Sequence, residues 1–454
     1  MLNHDIYHKA RLSRDSRFDG KFFTAVKTTR IYCRPICPAT TPREENVTYF
    51  LTAIEAANAG YRPCLRCRPD SAPGSSAWKG VNTTLERAMT LINQGALQEN
   101  SLPMLATRLG ISDRYLRQLF QKHLGVSPKS FALHQQCLFA KQLLHQTRLP
   151  ITEIALASGF NSVRRFNDCF QSQLKLTPSQ VRRSAQTQSN NLALKLYYRP
   201  PYNWSYIRQF FKARAIPAME WVGEHHYGRT FSWAKSTGRF TASHNSDKNR
   251  FDVTLTLDDL SALKPVVQNI RRILDLDVDI EAVTHNLNHH FGSAMPLETG
   301  IRLPGIWSLF EAGIRAILGQ QISVAAAHQL VTDLTHELGQ TSGDEKVFPT
   351  PESIVKSDLG FLRIPASRKQ TLHNLATHYV EDAAPDAPEQ WLTLKGIGRW
   401  TVDYARLRGL SEPDIYLGGD LGVKKASGNS NTPFDPLQAS PWRSYLTLQL
   451  WSQL

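Results

Sequence analysis

The spacing of apolar residues divides the chain into regions with different predicted secondary structure. Between residues 80 and 186, apolar residues recur at helical intervals, which predicts an all-α region. From residue 192 to about 263, segments such as LALKLYYR and RFDVTLTL alternate apolar and polar positions, as half-buried strands do. From Pro304 onward helical spacing returns, interrupted by Pro and Gly. The second half is therefore predicted to be α+β, with strands first and helices after them.

The helical region contains an internal repeat. The stretch LPMLATRLGISDRYLRQLF, from Leu102, is echoed by ITEIALASGFNSVRRFNDCF, from Ile151. Each copy predicts a short helix, a turn containing Gly, and a second helix capped by Ser, Asp or Asn. This is the helix-turn-helix arrangement, in which the second helix enters the major groove of DNA. The predicted recognition helices span 112–123 and 162–174.

The net charge of +14 is confined to the first part of the chain. Residues 1–183 carry 26 Lys and Arg against 12 Asp and Glu, whereas residues 184–454 carry 27 of each. This asymmetry favours a polyanionic partner, predicted to be double-stranded DNA, although a generic basic surface or a helical protein-interaction domain gives the same count. Four arginines at outward positions of the predicted recognition helices are the candidate DNA contacts: Arg114, Arg117, Arg164 and Arg165.

Length and composition indicate an ordinary globular protein. With 454 residues, 41% hydrophobic and 20% charged, we expect about three domains. The predicted domains are 1–79, 80–186 and 187–454, the last divided into a strand-rich lobe (187–300) and helical lobes (301–454). Polar stretches at 70–80 and 184–191 are the predicted linkers, and 427–439 is a predicted loop. Without a long apolar run or a signal-peptide core, we expect a cytoplasmic protein with no membrane attachment. We also expect it to be a monomer.

Four of the six cysteines have the spacing of a metal site. Cys33 and Cys37 form one pair, and Cys64 and Cys67 form a second pair after 26 intervening residues. Four thiolates suit tetrahedral Zn²⁺, and a purely structural zinc ribbon would have the same spacing. The other two cysteines, Cys137 and Cys169, are interpreted as small buried apolar residues.

The segments around these cysteines indicate which kind of zinc domain they belong to. FFTAVKTTRIYCRPICPA and GYRPCLRCRPD resemble the N-terminal domain of Ada-type methyl-transfer proteins over about 70 residues. The resemblance implies a small α/β domain with a structural zinc, in which Cys33 also accepts a methyl group from a methylated DNA phosphotriester. Arg30 stands where the family usually has Gly, so it would be strained if that position requires a positive φ, or it adds a phosphate contact.

The repeat, with SPKSF and TPSQVRR after its recognition helices, resembles the AraC-type DNA-binding domain over residues 81–183. This resemblance implies an all-α domain with two helix-turn-helix units. It also implies a role in transcription, for which RNA polymerase is the expected protein partner.

The segment LTLKGIGRWTVDYARLRGL, from Leu392, predicts a turn with Gly396 and Gly398 ahead of a helix. Together with IYLGGDLGVKK, PWRSYLTLQLW and FEAGIRAILGQQISVAAA, it resembles the AlkA-type glycosylases over residues 192–454. The resemblance implies a helix-hairpin-helix glycosylase that flips a damaged base out of DNA. Asp420 would be the catalytic carboxylate. An Asp after Gly-Gly is also compatible with a turn or a helix cap.

The same resemblance assigns the surroundings of Asp420. Trp400, Tyr404 and Trp442 would form an aromatic pocket for an electron-deficient alkylated purine. Gln320 and Gln321 match the loop that fills the gap left by the flipped nucleotide. The glycosylase step is expected to need no cofactor, because alkylation already makes the base a good leaving group.

A Lys at the position of Trp400 distinguishes the relatives that also cut the DNA backbone. Because this chain lacks that amine, we expect base release alone, although Lys395 lies nearby in the sequence. The sequence has no Pro-Cys-His-Arg segment, so a guanine-O6 methyltransferase part is not expected. The predicted function is excision of alkylated purines such as 3-methyladenine, joined to a methylation-sensing DNA-binding regulator. The alternative is an activator whose glycosylase half is inactive.

Overall fold

A computed structural model describes residues 4–14, 18, 22–37, 39–64, 67, 69, 83–93, 95–99, 101–183, 192–382, 385–428 and 435–454. The predicted linkers at 70–80 and 184–191 lie outside these residues, as does 429–434 within the predicted loop. The chain forms two compact units. The first comprises residues 1–198 with 259–269 and 276–279, and the second comprises 199–258, 270–275 and 280–454.

The first unit begins with a small α/β domain. Its β-strands form a sheet in the order β3-β1-β2-β4, in which β1 is antiparallel to β2 and β3, and β2 is parallel to β4. Phe23, Ala25 and Tyr32 from the sheet pack with Ala56 and Tyr61 as its core. The elements are α1 (His4–Leu12), β1 (Phe23–Val26), β2 (Ile31–Cys33), β3 (Val47–Phe50), α2 (Ala53–Asn58) and β4 (Arg62–Pro63).

An all-α region follows in the first unit, as predicted. Its helices are α3 (Thr83–Asn93), α4 (Ala96–Glu99), α5 (Leu102–Arg108), α6 (Asp113–Leu124), α7 (Pro128–Gln146), α8 (Ile151–Ala157), α9 (Val163–Leu174) and α10 (Pro178–Arg183). The repeat corresponds to α5–α6 and α8–α9. A short strand, β5 (Ala193–Tyr197), follows.

The two predicted recognition helices begin at serine caps. The Ser112 side chain accepts a hydrogen bond from the Tyr115 amide ahead of α6, and Ser162 accepts one from the Arg165 amide ahead of α9. On α9, Phe166 and Phe170 are fully buried, so the opposite face of the helix points outward. The repeat therefore has the capped, amphipathic helices that its sequence predicted.

The second unit is α+β. Strands β6 to β9 pair antiparallel in sequence order. Residues of α12 (Leu263–Ile273) belong partly to the first unit and partly to the second. The other elements of the second unit are α11 (Trp204–Lys212), β6 (Glu220–Val222), β7 (His226–Trp233), β8 (Ser236–Asn245), β9 (Arg250–Leu257), α13 (Ile280–Phe291), α14 (Leu309–Leu318), α15 (Val324–Leu338), β10 (Thr341–Ser342), β11 (Glu345–Lys346), α16 (Pro351–Lys356), α17 (Ala366–Glu381), α18 (Arg399–Gly409), α19 (Leu421–Gly428) and α20 (Arg443–Trp451).

Helix α14 is the centre of the second unit. It is buried along nearly all its length and packs directly on α18. A Cβ atom at Gly409 would lie 2.9 Å from the Ala312 Cβ and 3.0 Å from the Leu309 Cα. Glycine at this position therefore lets α18 approach α14 closely, and α18 in turn carries residues of the site described below.

Two acidic and two basic side chains form a buried ion network between the sheet and α14. Arg229 contacts Glu311 at 2.8 Å, and Arg315 contacts both Glu220 and Glu311 at 2.8 Å. Because each buried charge has an oppositely charged neighbour, the network is electrically neutral.

The multidomain α+β prediction is confirmed, with a small cysteine-rich α/β domain, an all-α helix-turn-helix domain and an α+β part. Within the described residues, no helix combines the length and apolar character that crossing a bilayer requires.

Candidate functional site

The four cysteines of the small domain meet at one point. Cys33 ends β2, and the Cys64 amide donates a hydrogen bond of 2.9 Å to the Tyr32 carbonyl, which brings the two cysteine pairs together. The four sulfur atoms lie within 4.8 Å of one another. A tetrahedral Zn²⁺ with bonds of about 2.3 Å needs sulfurs about 3.8 Å apart, so this group of side chains fits the ion.

The four sulfurs differ in accessibility and protonation. Cys64 and Cys67 are buried, whereas Cys33 and Cys37 are partly exposed. The hydrogen bond shared with Cys33 lowers the pKa of the Cys37 thiol to about 7 and also lowers the pKa of Cys64, whereas the hydrogen bonds with Cys37 and Cys64 raise the pKa of Cys33. A reagent from outside the domain can therefore reach only the first pair among these four sulfurs.

Arg30 occupies the turn between β1 and β2 with a φ of 53°. The position therefore does require a positive φ, which favours Gly. The Arg30 guanidinium lies 5.4 Å from the centre of the Tyr61 ring, and the side chain is exposed.

The candidate arginines of the two recognition helices face solvent. Arg114, Arg164 and Arg165 are exposed, and so is Arg117, which forms an ion pair of 3.2 Å with Asp113 one helical turn earlier. None of the four contributes to the helix-turn-helix core, so all four are available to a ligand.

A cavity of about 1100 Å³ opens in the second unit. It contains six of the seven residues that the sequence assigned to the base-binding site and the hairpin: Gln320, Gln321, Gly396, Gly398, Trp400 and Tyr404. Asp420 also lines it. The seventh, Trp442, is absent from the described lining. Other lining residues that the sequence did not indicate include Arg214, Arg408, Leu421, Trp451 and Leu454.

Asp420 is both the N-terminal cap of α19 and a cavity residue. Its Oδ1 atom accepts hydrogen bonds from the Gly422 and Val423 amides at 2.9 and 3.1 Å. The Trp451 indole donates to the same oxygen at 3.0 Å, and the Trp400 indole donates to Oδ2 at 3.3 Å. Four donors thus orient one partly exposed carboxylate, which caps α19 and also lines the cavity.

The aromatic wall differs from the sequence prediction in one member. Trp400 and Tyr404 stack with ring centres 5.4 Å apart, as expected for neighbours one turn apart on α18. Trp442 precedes α20 and is not among the described cavity residues, whereas Trp451 ends that helix and lines the cavity. A nine-residue helix is about 13 Å long, so only one of its two ends can reach Asp420. The run PWRSYLTLQLW contained both tryptophans without indicating which one is close.

The hairpin between residues 394 and 398 depends on its first glycine. Gly396 has a φ of +94°, and a Cβ atom there would lie 1.9 Å from the Thr371 Oγ1. A Cβ atom at Gly398 would meet nothing within 4 Å, so this part of the hairpin faces open space. Lys395 is exposed and is not among the described cavity residues.

The two glutamines have different environments. The Gln320 amide donates hydrogen bonds to the Gly396 carbonyl at 3.2 Å and to the Thr401 Oγ1 at 3.0 Å. Gln320 therefore ties its loop to the hairpin. Gln321 is exposed at the cavity, and its φ of 59° places its backbone in the left-handed region, as in a tight turn.

Arginine side chains also line the cavity, among them Arg214 and Arg408. Burial lowers the pKa of Arg408 to about 10 and also lowers the pKa of Arg214. Arg408 donates hydrogen bonds to the Pro304 carbonyl at 2.5 Å and to the Tyr404 hydroxyl at 3.2 Å. The cavity thus combines an oriented carboxylate, stacked aromatic rings and cationic groups.

Three known domain families match consecutive parts of the chain. The metal binding domain of Ada matches residues 7–70, a helix-turn-helix domain matches 105–184, and the AlkA N-terminal domain matches 193–308. The chain is 33% identical to DNA-3-methyladenine glycosylase 2 of Escherichia coli over 56% of this chain and 95% of that protein. It is 31% identical to the Escherichia coli bifunctional transcriptional activator/DNA repair enzyme Ada over 43% of this chain and 52% of that protein.

One relative matches both halves at once. The probable bifunctional transcriptional activator/DNA repair enzyme AlkA of Mycobacterium tuberculosis is 33% identical, over 98% of this chain and 96% of its own length. All three regions occur there in one polypeptide, as they do here. The chain therefore belongs to the AlkA family of bifunctional transcriptional activators and DNA repair enzymes.

Proposed function

We propose that the second unit is a monofunctional DNA glycosylase that releases alkylated purines, such as 3-methyladenine, by hydrolysis of the N-glycosidic bond. The observation that carries this proposal is the Asp420 carboxylate, oriented by four donors at the edge of a cavity with stacked Trp400 and Tyr404 rings. A flipped, electron-deficient base would stack on these rings. The carboxylate would then stabilise positive charge on the sugar as the base leaves.

The amine needed for backbone cleavage is missing from the proposed site. No lysine is among the described residues that line the cavity, and Lys395 lies outside that lining. A Schiff base with the sugar requires a primary amine within reach of the reacting carbon. Base release without strand cleavage is therefore the expected reaction, and a borohydride-trapped covalent adduct would contradict it.

The remaining part of the glycosylase site would hold the DNA. Open space above Gly398, at the beginning of α18, gives a phosphate access to backbone amides of the hairpin. Exposed Gln321 would enter the gap that the flipped nucleotide leaves, while Gln320 keeps its loop fixed to the hairpin.

For the first unit we propose a DNA-binding regulator that senses methylated phosphates. The basic charge of residues 1–183 and the exposed arginines of α6 and α9 support binding to duplex DNA, with the two helices in successive major grooves. Which arginines contact bases and which contact phosphates depends on the DNA site. RNA polymerase is the proposed partner in activation.

Cys33 is the proposed methyl acceptor. A zinc ion held by the four cysteines would stabilise the fold of the small domain and keep its sulfurs as thiolates. Partly exposed Cys33 can meet a methylated phosphotriester, whose lost charge reduces repulsion. Its sulfur forms a bond to the methyl carbon, and the phosphate oxygen leaves with the electron pair of the broken C–O bond. The domain then carries one negative charge less, which would strengthen DNA binding.

The decisive test of the glycosylase is base release from methylated duplex DNA by the wild type and by Asp420→Asn. Release by the wild type and loss in the variant is the expected result. Equal activity in both would exclude the catalytic role of Asp420, and no activity in either would favour a regulator with an inactive glycosylase half.

The methyl transfer is tested separately. After incubation with a methylphosphotriester oligonucleotide, peptide mass spectrometry is expected to find one methyl group on Cys33 and none on Cys37, the other partly exposed cysteine of the four. Methylation of Cys37 would exclude the assignment, and unchanged operator affinity after methylation would exclude the charge mechanism.

A further inference from the structure

Two cysteines outside the zinc site face each other between α7 and α9. The Cys137 sulfur on α7 lies 3.7 Å from the Cys169 sulfur on α9, within hydrogen-bonding distance for a thiol. One helical turn away, the His134 Nδ1 on α7 and the Gln173 Oε1 on α9 are 3.3 Å apart. Residue numbers fall along α7 while they rise along α9, so the helices run antiparallel here, with the cysteine pair in their interface.

The two sulfurs differ in their access to solvent. Cys137 is fully buried, as the sequence predicted for both cysteines. Cys169 is instead partly exposed, because it lies at the edge of the buried face of α9, beside Phe170. A small molecule from solvent can therefore reach Cys169 before Cys137. An accessible thiol next to a second thiol is the arrangement of a redox-sensitive pair.

The surroundings of the pair favour a thiolate at Cys169. The hydrogen bond from Cys137 lowers the pKa of Cys169 against the opposing effect of burial, and the positive charge of Arg165, one helical turn earlier, lowers it further. The same hydrogen bond and burial raise the pKa of Cys137, which therefore keeps its proton. Because the thiolate is the reactive form of cysteine, Cys169 is the sulfur that attacks an oxidant first.

We propose that Cys137 and Cys169 are a peroxide-sensitive thiol pair, whose disulfide weakens DNA binding by the second recognition helix. The effect on DNA rests on the DNA binding proposed for the first unit. The oxidant is hydrogen peroxide, a small neutral molecule that can approach the partly exposed Cys169 sulfur.

The oxidation takes two steps. The Cys169 thiolate attacks one oxygen of hydrogen peroxide and breaks the O–O bond, which leaves a sulfenic acid on Cys169 and releases hydroxide. The Cys137 sulfur then forms the S–S bond and displaces the sulfenic hydroxyl group, which leaves as water with the Cys137 proton. The hydroxide takes up the proton that Cys169 had lost. Two thiols and one peroxide thus become one disulfide and two waters, and the two electrons pass from sulfur to oxygen.

The disulfide would change the position of α9. A covalent bond requires the sulfurs to come well inside their present 3.7 Å, so α9 is drawn towards α7 and fixed there. The exposed Arg164 and Arg165, which are candidate DNA contacts, lie on this helix. Hydrogen bonds to base edges weaken steeply when donors are displaced. Helix α6 contains no cysteine, so the oxidation acts on one of the two recognition helices.

The first test is chemical and uses the full-length, zinc-loaded protein. After treatment with hydrogen peroxide and alkylation of the remaining thiols, peptide mass spectrometry is expected to find peptides joined through Cys137 and Cys169, which dithiothreitol separates. Cys169→Ser should form no such link, and Cys137→Ser should accumulate a sulfenic acid on Cys169 that dimedone traps. An unmodified Cys169, or oxidation confined to the zinc cysteines with release of the metal to a chromogenic chelator, would overturn the proposal.

The second test measures affinity for a DNA duplex that the reduced protein selects from a random pool. Oxidation is expected to lower this affinity about 10-fold, as for loss of one good base contact, and dithiothreitol should restore it. Cys169→Ser is the matched control, because it keeps the four zinc cysteines and every arginine. It should bind like the reduced wild type with and without peroxide, which also reports that the variant is folded.

Two results of the second test would overturn the proposal. One is an equal peroxide-dependent loss of affinity in Cys169→Ser, which would assign the effect to the zinc site. The other is formation of the disulfide with unchanged affinity. Failure of the reduced protein to select any duplex would instead refute the proposed regulator and with it the effect on DNA, while mass spectrometry would still decide whether the disulfide forms.

Discussion

The indole Nε1 of Trp451 donates a hydrogen bond of 3.0 Å to Oδ1 of Asp420, although the two residues are 31 positions apart in the sequence. Trp400, on α18, donates to the other oxygen, Oδ2, so two indoles from different helices hold the carboxylate. A residue at the end of α20 thus contributes a donor to the same carboxylate that the amides of α19 bind.

Replacing Trp451 by Phe keeps an aromatic ring and removes this donor. Hydrogen bonds to a charged group contribute about 1.5–3 kcal/mol, so we expect the rate of 3-methyladenine release to fall about 10- to 100-fold. Single-turnover kinetics on methylated DNA measure the effect. Trp442→Phe is the discriminating comparison and should retain nearly all activity. A larger loss in Trp442→Phe than in Trp451→Phe would contradict the geometry of Asp420.

Alanine substitutions at the two hairpin glycines are expected to affect different properties, stability at Gly396 and DNA binding at Gly398. Gly396→Ala places a methyl group on Thr371 at a positive φ, so it is expected to lower the melting temperature of the second unit. Gly398→Ala meets no protein atom and should melt like the wild type, but its methyl group occupies the space proposed for a DNA phosphate. Calorimetry and DNA-binding titrations separate the effects. Equal DNA affinity of Gly398→Ala and wild type would exclude that phosphate site.

Arg30→Gly should relieve backbone strain in the small domain. A non-glycine residue in the left-handed region costs about 1–2 kcal/mol, of which part returns as the greater entropy of Gly in the unfolded chain. We therefore expect a gain in unfolding free energy of about 1 kcal/mol or less, with weaker DNA binding because a cation is lost. Arg30→Ala keeps the strain and loses the cation. Arg30→Ala should therefore weaken DNA binding as much as Arg30→Gly does, without raising the unfolding free energy of the small domain. A rise in unfolding free energy in Arg30→Ala would contradict the strain argument.

Lys264, in the first unit, should make the stability of the protein depend on pH. Burial lowers the pKa of this lysine to about 8, from an ordinary value of 10.5, and its side chain is 2% exposed. Between these two pH values the unfolded chain binds more protons than the folded one, so stability should rise as pH rises from 8 towards 10.5. Below pH 8 the folded protein bears the full free-energy cost of burying the charged Lys264 side chain, about 3 kcal/mol.

Denaturant unfolding of the wild type and Lys264→Met tests this. The variant is expected to be more stable at pH 7, and the difference should shrink as pH rises towards 10.5. Lys141→Met, at a second buried lysine of the same unit, is the comparison. A difference between wild type and Lys264→Met that is constant with pH would refute the titration of Lys264.

The sequence by itself determined the features that depend on neighbours along the chain. Ser112 and Ser162 cap their helices through amides three residues later, so a short pattern predicts both recognition helices. The short spacing within each of the two cysteine pairs and the glycine-containing turn before α18 are likewise visible in a few consecutive residues. Asp420 was identifiable because the glycines before it and the hairpin carry the family resemblance.

Only the tertiary structure decided which distant side chains surround that carboxylate. Trp442 and Trp451 are equivalent in a sequence, and the packing of α20 brings the second one to Asp420. Arg214 reaches the cavity because it stacks on Phe210 near the end of α11, 206 positions before Asp420 in the sequence. Such contacts depend on how helices pack in three dimensions, and the local pattern of apolar and polar residues does not encode them.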